Sequence, residues 1–170
     1  MRFMVTGDLN RNRLLQLIIV LYALYVAGLW LTNAGLYFSK MGLDPASVVA
    51  YYLGSEEGFL PARSFQGMLE ISHFHLFAMG MLLMVLTHLI LFVPISDVKK
   101  VWLIVVPFVS ALLDEGAGWA VRFMHPLFAW LKIVGFLLLE TSLAVLVGTA
   151  LWSVFRGTTE SYKNGETPIP

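Results

Sequence analysis

The chain has 170 residues, of which 58% are hydrophobic and 13% are charged, and its formal net charge is +0. A soluble domain of this length cannot bury so large a hydrophobic share, so the composition predicts a membrane protein in contact with the lipid bilayer. The balanced charge argues against nucleic acid as a partner, and the lack of cysteine excludes disulfides, iron–sulfur clusters and thiolate-bound zinc.

Four apolar stretches are long enough to cross a bilayer, which takes about 20 residues in a helix. They cover residues 14–38, 68–94, 101–120 and 127–155. The sequence therefore predicts an all-α integral membrane protein, a four-helix bundle of up-down-up-down order that forms one domain over residues 14–155.

The segment 39–66 is too polar to span the membrane, but it contains a helix start. Asp44 is followed by proline at the first helical position, which favours a helix from Pro45 to Leu53. We expect a short interfacial helix here, with Tyr51 and Tyr52 at the level of the lipid headgroups.

The polar ends, residues 1–13 and 156–170, determine the predicted orientation. Lysine and arginine are more frequent in these ends and in the loop after the second span than on the other side of the membrane. By the positive-inside rule, this bias predicts a multi-pass protein of a bacterial inner membrane with both termini in the cytoplasm.

The second span, residues 68–94, carries three of the four histidines. At about 100° per residue, Glu70 and His88 lie in nearly the same direction, with His73 within about 60° of them. We expect this polar stripe to face the interior of the bundle. On the same geometry His75 lies about 140° away from Glu70.

His73 and His125 are predicted to ligate one b-type haem between the second and fourth spans, since imidazoles on facing helices hold haem in helical bundles. His75 replaces His73 if the helix is rotated. The predicted function is electron transfer, as a small subunit of a respiratory or redox complex. Its partners would be a periplasmic cytochrome, a quinone or other membrane subunits.

His73 and His88 are about four helical turns apart, an arrangement similar to that of the four-helix membrane b-type cytochromes, whose histidines form two haem layers. In the fourth span, however, Glu140 occupies the position where a second histidine would be needed. The sequence therefore predicts a single haem. His88 and Glu140 are predicted to form a buried polar pair instead.

A metal site without haem is the first alternative. Nitrogen and oxygen ligands for copper, zinc or iron are available at one membrane boundary in a metal-binding or metal-transport protein. The candidate ligands are Glu70, His73, His75, Asp114 and His125. On a regular helix His73 and His75 diverge by about 200°, so both reach one ion only if the helix start is unwound.

A structural accessory subunit without a cofactor is the second alternative. Asp114 and Glu115 in the third span would then pair with Arg122 and Lys132 and lock the helix ends together. No phosphate-binding loop, nucleophile elbow or helical metalloprotease motif occurs in the sequence, so a self-contained hydrolase is not expected.

The run MLEISHFHLF in the second span, followed by DEGAGW in the third, resembles a group of small four-helix bacterial inner-membrane proteins. The resemblance covers these two spans. It implies a four-helix membrane fold, and it implies no particular activity or site.

Overall fold

The computed structural model describes residues 13–56 and 58–163, with side chains described as far as residue 155. A 3₁₀ turn, Pro126–Phe128, precedes the last helix. The α-helices are α1 (Arg13–Phe38), α2 (Pro45–Leu53), α3 (Phe65–Ile90), α4 (Asp97–Phe123) and α5 (Ala129–Lys163). The predicted all-α fold class is thereby confirmed.

Four helical segments are long and apolar enough to cross a membrane: α1, α3, α4 and the segment from the 3₁₀ turn through Phe155. Several bounds differ from the expected spans, and two of the differences have a local cause. Helix α3 ends at Ile90, and the chain continues to Val93 with hydrogen bonds to the third residue back, because Pro94 has no N–H for the Ile90 carbonyl. Helix α4 begins earlier, at Asp97, because a negative carboxylate in the first turn interacts favourably with the positive end of the helix dipole.

Helix α5 is the central element of the bundle. It packs against α1, α2, α3 and α4, and its contact with α4 is the most extensive between any two helices. Its buried apolar residues recur at the three- and four-residue spacing of one helix face. Among them are Ile133, Phe136, Leu139, Leu143 and Leu146.

Helix α2 begins and ends where the sequence predicts. The Asp44 side chain accepts a hydrogen bond from the Ser47 backbone N–H, which lowers the pKa of this carboxyl below its ordinary value. The helix does more than lie at the interface, because Val48 is completely buried against the bundle. Helix α2 therefore closes one end of the four-helix assembly.

Tyr52 is buried against the bundle, whereas its level at the lipid headgroups stays a prediction. The ring fits because Gly118 of α4 has no side chain: a Cβ there would lie 2.5 Å from the Tyr52 hydroxyl oxygen. This burial raises the pKa of the Tyr52 phenol. Tyr51 is only partly buried, and the Arg63 guanidinium lies over its ring at 4.0 Å.

The predicted inner face of α3 is wrong. Glu70, His73 and His88 are all exposed, whereas the buried face of this helix runs through Met68, Ser72, Leu83, Leu86, Thr87 and Ile90. The three polar residues lie within about 12 Å of one helix end or the other, where side chains can reach the headgroup region. Their polarity therefore does not require a place inside the bundle.

Helices α4 and α5 cross most closely at Gly135. A Cβ at this position would lie 2.9 Å from the backbone nitrogen and 3.0 Å from the Cα of Asp114. Backbone atoms cannot move aside as a flexible side chain can. The glycine therefore allows this crossing distance.

Replacing Gly135 by alanine is expected to lower the free energy of unfolding by about 1–3 kcal/mol, the usual cost of overpacking. Thermal unfolding in detergent measures the effect. The matched control is Gly148→Ala in the same helix, where no atom lies within 4 Å of the added Cβ. The control should be neutral, or stabilising by up to about 1 kcal/mol through helix propensity. Equal stability of the two variants would contradict the assigned crossing.

Candidate functional site

A polar cavity of about 200 Å³ lies at the end of the bundle that α2 closes. Each of the five helices contributes to its wall. Representative lining residues are Tyr37 of α1, Tyr52 of α2, His75 of α3, Asp114 of α4 and Lys132 of α5. We call this space the polar cavity.

Lys132 and Asp114 form an ion pair at the wall of the polar cavity. The ammonium nitrogen lies 2.8 Å from Asp114 Oδ1 and also donates to the Asp114 backbone carbonyl at 3.1 Å. Lys132 is only 7% exposed, so its charge depends on this partner. The predicted pairing of these two residues is present, and the close crossing at Gly135 brings them together.

Glu115 has different partners from those predicted. Its Oε1 accepts a hydrogen bond from the Ser72 hydroxyl, and its Oε2 lies 3.1 Å from His75 Nδ1. The Trp119 indole N–H donates to the Ser72 oxygen at 2.7 Å. Glu115 does not pair with Arg122, whose Nε instead donates to the Arg63 backbone carbonyl at 2.7 Å.

The directions of these hydrogen bonds define the chemistry of His75. Because the Trp119 indole N–H can only donate, the Ser72 oxygen accepts from it and the Ser72 hydroxyl proton is donated to Glu115. The Glu115 carboxylate can only accept, so His75 must donate to it from Nδ1. The neutral His75 ring then has its proton on Nδ1 and a free lone pair on Nε2. The His75 side chain is 54% exposed, so this nitrogen is accessible to a ligand.

A second, narrower cavity of about 110 Å³ adjoins the polar cavity between α3 and α4. The two share Asn33, His75, Asp114 and Glu115 as lining residues. The other residues that line this second cavity are apolar. They include Met79, Leu83 and Phe108, together with the exposed residues Leu76 and Leu112. We call this second space the apolar slot.

Glu140 does not pair with His88, which corrects that prediction. Its Oε1 accepts a hydrogen bond of 2.6 Å from the Asn33 side-chain amide, and its backbone carbonyl accepts one from Trp30 Nε1. His88 is exposed, and its ring contacts Phe92. The outward rotation of this face of α3 explains why the expected pair does not form.

The other predicted ligands lie outside both cavities. His73 is exposed on α3, and Glu70 accepts a hydrogen bond from Gln66 one turn earlier. His125 is also exposed, and its Nδ1 accepts the Leu127 backbone N–H at the start of the 3₁₀ turn. Within residues 13–56 and 58–163, no three His, Asp or Glu side chains come together as a group that could hold a metal ion.

Sequence reasoning did not find Ser72, Asn33 or Gly135. Asn33 had a usable signal, because a polar side chain within an apolar span needs a polar partner. Ser72 had none, since a serine in a membrane helix usually bonds to its own backbone. Gly135 resembles every other glycine of these helices until the facing backbone is known.

These features define a multi-pass membrane protein with an internal polar site. A family model described as a transmembrane helical domain matches residues 42–161, which is more than half of the chain. The chain therefore belongs to this family of transmembrane helical domains. Neither the curated proteins nor the solved structures include a significant match.

Replacing Lys132 by methionine is expected to destabilise the protein by about 3–5 kcal/mol, because it leaves the Asp114 carboxylate buried without its cation. Adding Asp114→Asn should recover most of that loss, since the uncompensated charge is then gone. Chemical or thermal unfolding in detergent measures both variants. The control is Lys40→Met at the exposed rim of the cavity, which should leave stability unchanged. The pairing would be contradicted if the double variant lost as much stability as the two single variants lose together.

Proposed function

We propose that the polar cavity binds the ring of a membrane quinone and that the protein serves as a small subunit of a redox complex. The observation that carries this proposal is the junction of the two cavities. A ligand with a polar head and an apolar tail fits a polar cavity that shares its wall with an apolar slot open between α3 and α4.

The size and chemistry of the site support a quinone ring. Taken together, the two cavities approach the lower end of the range for ligand sites, about 300 Å³. The ring oxygens need hydrogen-bond donors, and the Lys132 ammonium and the Tyr52 hydroxyl line the polar cavity. The isoprenoid tail would leave through the apolar slot past Leu76 and Leu112 to the lipid.

His75 gives the site a proton acceptor. Oxidation of one quinol to quinone releases two electrons and two protons, and we assign the electrons to a cytochrome-type partner that takes them one at a time. The free Nε2 of His75 accepts one proton, and Glu115 stabilises the imidazolium that results. The other proton is released to water at the rim of the cavity.

The proposed reaction agrees with the predicted orientation. If both termini are in the cytoplasm, the polar cavity faces the periplasm, because α2 and the connection between α4 and α5 are then on that side. Both the electron acceptor, a periplasmic cytochrome, and the released protons would be on the same side of a bacterial inner membrane.

Replacing His75 by leucine is expected to weaken binding of a short-chain quinol about tenfold, which corresponds to one hydrogen bond of about 1.4 kcal/mol. Calorimetric titration of the protein in lipid nanodiscs with the reduced short-chain quinone measures the affinity. The matched control is His125→Leu, a histidine that lines neither cavity. Equal affinities of the wild type and the His75→Leu variant, or no binding at all by the wild type, would refute the proposal.

Haem b at His73 and His125, a copper, zinc or iron site that includes Glu70 and Asp114, and a purely structural role all stay predictions. His125 retains a free Nε2 for a ligand, because its hydrogen bond to Leu127 uses Nδ1. Neither His73 nor His125, however, lines the polar cavity or the apolar slot. A haem held by these two histidines would therefore lie outside the site described above.

Absorption spectra and metal analysis of the purified protein test these three predictions. A haem held by His73 should give a low-spin spectrum that His73→Ala abolishes, while the protein remains inserted because insertion depends on the apolar spans. Wild-type protein without haem or stoichiometric metal that still assembles with a partner would favour the structural role. The control is His88→Ala, a second exposed histidine of the same helix.

A further inference from the structure

Glu140 lies near the middle of the fourth candidate membrane span, Pro126–Phe155. It follows Ala129, the first residue of α5, by about 16 Å of helix, and the hydrocarbon core is about 30 Å thick. The residue is only 8% exposed, so its side chain is enclosed by the bundle. A carboxyl group at such a position is a functional candidate by default.

The two oxygens of Glu140 have unequal surroundings. Oε1 accepts the hydrogen bond from Asn33, whereas Oε2 is buried without a hydrogen-bond partner among the described residues. A carboxylate would need donors or a cation at both oxygens. A neutral carboxyl group with its proton on Oε2 costs less in this environment, because it has no charge that donors or a cation must compensate.

No described cation compensates a charge on Glu140. Helix α1 contributes the neutral groups of Asn33 and Trp30. On α4, the negative Asp114 already pairs with Lys132 of α5, about two turns before Glu140. On α3, His75 lies in the wall of the polar cavity, where it pairs with Glu115.

We infer that Glu140 is a proton-binding site in the middle of the membrane and that it exchanges its proton with the polar cavity. Asn33 connects the two places, because its amide contacts Glu140 and it also lines both the polar cavity and the apolar slot. The polar cavity, of about 200 Å³, has the room and the polar lining that water needs, and Asn33 is part of that lining. Release transfers the Oε2 proton to water and leaves a carboxylate, and uptake reverses that step.

This inference does not depend on the proposed quinone. Binding of a quinone ring in the polar cavity requires His75 and Lys132, whereas proton binding at Glu140 requires burial and Asn33. If quinol binding is not found, proton binding at Glu140 is unaffected, and the reverse also holds. The first is measured by calorimetric titration and the second by infrared spectroscopy.

Infrared spectroscopy of the protein in lipid nanodiscs tests the inference. At neutral pH the wild type should show the carbonyl stretching band of a protonated carboxylic acid, although a glutamate in water is ionised there, with a pKa of about 4.3. The variant Glu140→Gln should lose this band. The matched control, Glu115→Gln, should retain it, because Glu115 accepts two hydrogen bonds as a carboxylate.

Two further measurements keep the test decisive if Glu140→Gln folds poorly. Labelling the wild type with ¹³C-glutamate should shift the band, whereas a band from an aspartic acid would not move. Asn33→Leu should change the band frequency by removing the hydrogen bond to Oε1, and it should slow hydrogen–deuterium exchange of the carboxyl proton. A wild type without the band, or a band that remains in Glu140→Gln, would overturn the inference.

Discussion

The close crossing of α4 and α5 at Gly135 is the constraint on which the rest of the site depends. Because α5 contacts every other helix, its separation from α4 sets the positions of all of them. The crossing puts the Asp114 backbone against Gly135 and brings Lys132 within 2.8 Å of the Asp114 carboxylate. In a medium of low dielectric constant neither charge is stable alone, so packing and charge compensation support each other here.

The sequence predicted the elements of the fold well because their signals are local. Four long apolar stretches define the spans, and Asp44 before Pro45 defines the start of α2. The Asp114–Lys132 pair was also predictable, because opposite charges at one membrane boundary lower their free energy by pairing. Each of these predictions uses only composition, length or a capping pattern.

The rotation of α3 was not predictable by the same reasoning. In a soluble bundle, polar residues mark the outside and apolar ones the inside, but in a membrane helix both faces are apolar over most of their length. Glu70, His73 and His88 lie near helix ends, where polarity carries no information about direction. The interior face is instead set by close packing at Ser72 and by the apolar positions that follow it, and this depends on the partner helices.

Helix α1 lies before the matched region of the family, yet its Asn33 and Trp30 donate hydrogen bonds to Glu140 of α5. Association of membrane helices depends on packing and on interhelical hydrogen bonds of about 0.6 kcal/mol on average. The Asn33 and Trp30 bonds, together with Tyr22 to the Leu82 carbonyl, are therefore a substantial part of what holds α1 in place. If Glu140 ionises, a charge forms at the contact between α1 and α5, and the favourable surroundings of a neutral carboxyl are lost. Proton binding at Glu140 and the docking of α1 are thus coupled, because both depend on the same buried carboxyl group.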